Sequence, residues 1–206
     1  GMGGHKAGQV ASNTAIEAFI AYLDKYQPDS TEEPLDMLIG GINMANEAVY
    51  KLGCSYEEYG DMGTTMVAAT IEGDNIYVAH VGDSRLYRIT DGIIEQITND
   101  HSLVAEMVKA GQITEEEARV HPQRNCITRA VGTDRNVVSD GLIVRVKEND
   151  TIVMCSDGLN TMLEDREILD IAGNRSLAIE DRVSMLIDTA NNNGGKDNIS
   201  AVVIDI

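Results

Sequence analysis

The sequence predicts an α/β chain of two antiparallel sheets covered by helices, and three observations lead there. Helical spacing of apolar residues marks both ends, strand-like alternation fills the middle, and no strand–helix–strand alternation of the parallel kind runs through the chain. A length of 206 residues is enough for one domain with a substantial core, and 43% hydrophobic against 24% charged residues excludes a disordered chain.

Behind a glycine-rich start, Ile16, Phe19, Ile20 and Leu23 recur at helical spacing. This predicts an amphipathic helix ending near Tyr26 and Pro28, with that stripe in the core. Ser30 and Thr31 are placed to cap a second helix, whose stripe is Leu35, Leu38, Ile42, Ala45, Val49 and Leu52 and whose stop is Gly53. The period then changes to two. Residues 65–71 alternate, Asp74-Asn75 turns, 76–89 reads as one extended strand, Asp91-Gly92 turns again and 93–97 closes an antiparallel meander. Short helices at 103–110 and 115–120, around Gly111, read as an insertion between strands. Strands resume at 141–146 and 151–155, joined by a turn at Glu148-Asn149-Asp150. Ile179, Val183, Leu186, Ile187 and Ala190 mark the last helix, and 199–206 a final strand.

A formal net charge of -18 argues against a nucleic-acid surface, since phosphates would be repelled. It suits a cationic partner, either a basic protein or a hard divalent cation that takes oxygen ligands. Cys54, Cys126 and Cys155 are odd in number and lack zinc-site spacing, which points to a reduced, cytoplasmic protein with the three thiols as small buried hydrophobes. No apolar run reaches the roughly 20 residues of a bilayer span, so no membrane partner is expected.

Four constellations place an acid or glycine where a strand meets a turn. Gly1-Met2-Gly3-Gly4-His5 pairs glycines that let backbone approach an ion or phosphate with a histidine that exchanges protons near neutrality. In His80-Val81-Gly82-Asp83-Ser84-Arg85 an aspartate interrupts apolar strand residues, where it must ligate or pair, Arg85 being the simplest partner. Cys155-Ser156-Asp157-Gly158 runs a strand straight into an acid, and Gly195-Lys196-Asp197-Asn198 repeats that grammar before the last strand. Rival phosphate chemistries fail on their own residues. No cysteine is followed six positions on by arginine, those positions being Gly60, Gly132 and Thr161, and no Asp-x-Asp occurs.

Together these motifs, with Asp61-Met62-Gly63-Thr64-Thr65, Asp100-His101-Ser102 and 127–132, resemble the metal-dependent protein phosphatases of the type 2C kind in their compact bacterial form, over essentially the whole chain. The resemblance implies a four-layer α-β-β-α sandwich whose N-terminal strands are missing here. It also implies two or three Mn2+ or Mg2+ ions and hydrolysis of phosphoserine and phosphothreonine in phosphoproteins, a serine/threonine kinase among them. It makes the Gly1 carbonyl and Asp157 and Asp197 ligands of a metal pair, Asp83 a ligand of a third ion, His5 the general acid, Asn198 the residue orienting water, and about 101–135 a flap over the substrate. Two bound ions would acidify water and neutralise charge on attacking and leaving oxygens.

The family's bridging Asp would directly precede Gly1, and its phosphate-binding Arg would lie further upstream. Three explanations compete, a start placed too late at Met2 with Gly1 a tag remnant, a truncation, and a natural short homologue, the first being favoured. Impaired activity in this chain and exposed edges able to recruit a second copy are expected. The competing expectations are an inactive binding module of the same fold and a partner-switching phosphatase acting on an anti-sigma-factor antagonist.

Overall fold

The computed structural model describes residues 1–25 and 33–206. The predicted helix end near Tyr26 and Pro28, and the caps at Ser30 and Thr31, lie outside the described residues. Two compact units divide the chain, Gly1–Gly82 with His101–Val144, and Asp83–Asp100 with Arg145–Ile206.

The first unit holds α1 (Gly4–Leu23), α2 (Pro34–Ser55), β1 (Met66–Glu72) and β2 (Asn75–Val81). The predicted insertion supplies α3 (Leu103–Lys109) and α4 (Glu115–Val120). A strand spanning Asp140–Arg145, β5 in chain order, completes a sheet in the order β1-β2-β5. β1 and β2 form an antiparallel hairpin through the Gly73-Asp74 turn, with Glu72 opposite Asn75 and Met66 opposite Val81.

Pro34 opens α2 at its first turn, where its missing N–H costs no bond. Leu38, Ile42, Ala45 and Val49 are fully buried, as their spacing predicts, and the helix runs two residues past the expected stop at Gly53. α1 departs from prediction. Ile16 and Ile20 are about half exposed, and the buried line is instead Ala7, Ala11 and Ala15. Four-residue spacing of small side chains lets α1 lie close to α2, where Phe19 and Tyr22 rest directly over Gly41 and Gly40. A hydrophobicity count favours isoleucine over alanine, so it places Phe19 correctly against the core but not Ile16 and Ile20.

Buried Asn46 on α2 ties the insertion's exit to the helix: its amide donates to the carbonyls of Asp134 (3.1 Å) and Arg135 (3.2 Å) and accepts from Gly132 N–H (2.7 Å).

In the second unit β3 (Arg85–Thr90), β4 (Ile93–Gln96), β6 (Thr151–Cys155) and β7 (Ala201–Asp205) form an antiparallel sheet in the order β4-β3-β6-β7. α6 (Asp165–Ala172) and α7 (Ile179–Asn192) supply Ile168, Ala172, Leu186 and Ala190 to a core with Tyr87, Val153 and Val203 from the sheet. The predicted single strand over 76–89 is thus two strands in two different sheets. Gly82 breaks it: its φ of +102° leaves the extended region, and an added Cβ would stand 2.4 Å from the Thr65 methyl. The cysteine expectation holds for Cys155 alone, because Cys54 and Cys126 are exposed. Among the described residues no helix is long and apolar enough to cross a membrane.

The alanine seam is open to a direct check. Ala11→Leu should cost about 1–3 kcal/mol through overpacking, seen as a melting temperature lower by several degrees, whereas Ile20→Ala should stay within about 0.5 kcal/mol. Equal losses in thermal melts would show that α1 buries the isoleucine face after all.

Candidate metal centre

Strand register decides where the acids stand. Arg85 pairs with Cys155, and Cys155 pairs with Ala201, so the start of β3, the end of β6 and the start of β7 share one end of the sheet. Asp83 lies two residues before β3, Asp157 two residues after Cys155 at the head of the short helix α5 (Asp157–Asn160), and Asp197 four residues before Ala201. Three acids distant in sequence therefore emerge from the same edge of three neighbouring strands.

Two of them are pressed together by a backbone contact. A Cβ on Gly158 would fall 2.3 Å from the Asn198 carbonyl oxygen and 3.4 Å from the Asp197 carbonyl carbon, so only glycine lets α5 approach the segment before β7. Ser156 stitches the same contact, its hydroxyl donating to the Asn198 carbonyl and accepting from Ser200 N–H, each at 3.0 Å. The Asp197 carboxylate accepts the Asn198 N–H at 2.7 Å.

The electrostatics record the crowding. Burial first, then the charges of Asp157 and Asp100, push the Asp83 carboxyl up to about 6. Burial and then the neighbouring Asp197 charge raise Asp157 as well. The simple ion pair between Asp83 and Arg85 is not formed: the Arg85 guanidinium instead donates to both carboxylate oxygens of Asp100, at 2.8 to 3.2 Å, and to the Tyr87 hydroxyl at 2.8 Å. Two half-buried carboxylates, Asp83 and Asp157, beside the exposed Asp197 offer oxygen donors alone, which fits hard divalent ions such as Mg2+ or Mn2+ and not zinc, which favours His and Cys.

The remaining expected residues belong to the first unit. Gly1 packs against α1, an added Cβ falling 2.0 Å from the Gly8 carbonyl oxygen, and Met2 forms an antiparallel bridge with Gly63. His5 lies in the first turn of α1, and the side chain expected to act as acid is outside the described residues.

Sequence reasoning missed a second cluster. His80, His101 and Asp140 bring three potential ligand atoms within 4.8 Å of one another. His101 Nε2 stands 3.3 Å from Asp140 Oδ2, while Asp140 Oδ1 accepts from Arg129 at 2.6 Å. The two imidazoles stack with centroids 4.6 Å apart and planes 22° apart. Stacked rings direct their lone pairs side by side and not to one point, and both Asp140 oxygens face protein donors, so the arrangement reads as a hydrogen-bonded chain instead of a metal cage. The signal available in sequence was a histidine inside the apolar strand ending in Val81, and it was read only as part of the Asp83 motif.

Residues 1–202 match the family described as protein phosphatase 2C. The chain is 39% identical to protein phosphatase PhpP of Streptococcus pneumoniae serotype 2 over all of its own length and 83% of that protein. The serine/threonine phosphatase Stp1 of Staphylococcus aureus superposes with a TM-score of 0.92 at 38% identity, over 100% of this chain and 80% of that one. The catalytic domain of the serine/threonine phosphatase PstP in complex with two manganese ions gives a TM-score of 0.86 at 32% identity, over 99% and 84%. The chain belongs to the protein phosphatase 2C family of metal-dependent hydrolases, and its pair of antiparallel sheets with attendant helices is that family's fold.

A carboxyl raised from 3.8 to about 6 in the folded protein stabilises the fold while protonated and loses that contribution as pH climbs through 6. In chelator, Asp83→Asn should therefore raise the melting temperature at pH 7.5 by a few degrees, on the order of 1–2 kcal/mol after solvent discount, and much less at pH 4. Equal shifts at both pH values in thermal melts would remove the repulsion from the account.

Proposed function

We propose that this chain carries the catalytic apparatus of a protein serine/threonine phosphatase acting on phosphoserine and phosphothreonine in phosphoproteins. The convergence of Asp83, Asp157 and Asp197 at one sheet end carries this reading, and family membership supports it. Asp157, Asp197 and the Gly1 carbonyl would hold a pair of divalent ions, Mn2+ or Mg2+, and Asp83 a third. Bound there, such ions acidify water and neutralise the charge that develops on the phosphoryl oxygens.

The chain's own residues do the rest. Asn198, fixed by the contacts of its backbone with Asp197 and Ser156, orients the attacking water. His5 delivers a proton to the departing serine or threonine oxygen, so that the P–O ester bond breaks as the new P–O bond to water forms and phosphate and alcohol are released. The insertion over about 101–135 shapes access for the phosphoprotein, its exit held by Asn46.

The test is Mn2+-dependent phosphate release from a phosphothreonine peptide, measured on this chain. Asp157→Asn or Asp197→Asn should lower kcat/KM by at least about a hundredfold, more than the loss of a supporting residue costs. Hydrolysis unaffected by chelator, or wild-type rates from either variant, would reject the reading.

A further inference from the structure

Two consecutive residues, Asp100 and His101, bind chain neighbours of Asp83. On one flank, Asp100 binds the guanidinium of Arg85 through both oxygens. On the other, His101 grips Gly82 twice: its main-chain N–H donates to the Gly82 carbonyl at 3.0 Å, and its Nδ1 accepts the Gly82 N–H at 3.1 Å. An accepting Nδ1 carries no proton, so neutral His101 is protonated on Nε2, the nitrogen facing Asp140 at 3.3 Å. Arg129 fixes Asp140 in turn, and the His80 ring stacks on His101 and restricts its rotation. Gly82 is the left-handed residue that ends β2 immediately before Asp83, and the Thr65 methyl crowds it on the side a Cβ would take.

We propose that His101 is a positioning residue whose Nδ1, kept an acceptor by the Asp140–Arg129 pair, holds the left-handed Gly82 turn from which the chain passes into Asp83. The proposal deepens the phosphatase reading and rests on it for the role of Asp83; the clamp itself is independent of that role. Charge relays of this form work through tautomer choice. An Asp140 amide can present an N–H to Nε2, which drives the imidazole proton to Nδ1 and removes the acceptor that Gly82 uses.

Hydrogen exchange of the Gly82 amide in the metal-free chain, with the Ala79 amide as an internal reference for global opening, reads the clamp directly. Asp140→Asn and His101→Leu should each speed Gly82 exchange about tenfold relative to Ala79, as loss of one hydrogen bond implies, whereas His101→Asn, which keeps an acceptor oxygen near the Nδ1 position, should restore protection. With Mn2+ added to the same protein, the two impaired variants should need several-fold more Mn2+ for half-maximal hydrolysis of a phosphothreonine peptide with KM for the peptide unchanged, and His101→Asn should return the wild-type requirement. Wild-type Gly82 protection in Asp140→Asn would overturn the proposal, as would an unaltered Mn2+ requirement or a His101→Asn protein no better than His101→Leu. Failure of the wild-type protein to hydrolyse the peptide would instead overturn the phosphatase reading, with Gly82 exchange still deciding the clamp.

Discussion

The structure turns on like charges forced together. Carboxylates from three separate stretches of chain are carried to one sheet end by the pairing of Arg85 with Cys155 and of Cys155 with Ala201, and the bare α-carbon of Gly158 lets two of them close on each other. Burial first, and then the charge of neighbouring acids, raises the Asp83 and Asp157 carboxyls. A multivalent cation held among them, as proposed, would relieve both costs. The serine and backbone hydrogen bonds around Asn198 keep the arrangement from relaxing.

Arginine placement supports this view. Asp100, Asp140, Asp150 and Asp205 all have arginine partners, in Arg85, Arg129, Arg88 and Arg182. Each of those acids is structural: Asp150, for example, also accepts the Lys147 N–H in the turn before β6. Arg85, two residues from Asp83, spends its guanidinium on Asp100 and Tyr87. Negative charge is thus compensated locally at these four acids, which fits the proposal that the acids at the sheet end are kept for a cation.

Much of this was legible in the residues. The α2 stripe, the turns at Asp91-Gly92 and around Asn149, β6 and the acids at strand ends follow from periodicity and from the oddity of an aspartate in apolar surroundings. What escaped depends on three-dimensional proximity. The alanine face of α1 is invisible to a count of large apolar side chains, since its value lies in how close α2 can come. The break at Gly82 was masked by apolar residues on both sides, and only its positive φ and the nearby Thr65 reveal it. The His80–His101–Asp140 chain joins residues 21 to 60 positions apart, beyond any local pattern. The acids at the strand ends were visible as a set of repeated local motifs; the histidines contact partners distant in sequence, and such partners are not written locally.

The most direct test of the central claim is anomalous scattering at the manganese edge from crystals of the protein equilibrated with Mn2+ at pH 7.5. The account predicts peaks bounded by the carboxylates of Asp157 and Asp197, weakened or lost in Asp197→Asn. No peak at these residues under saturating Mn2+, or ions gathered only at His80, His101 and Asp140, would contradict it.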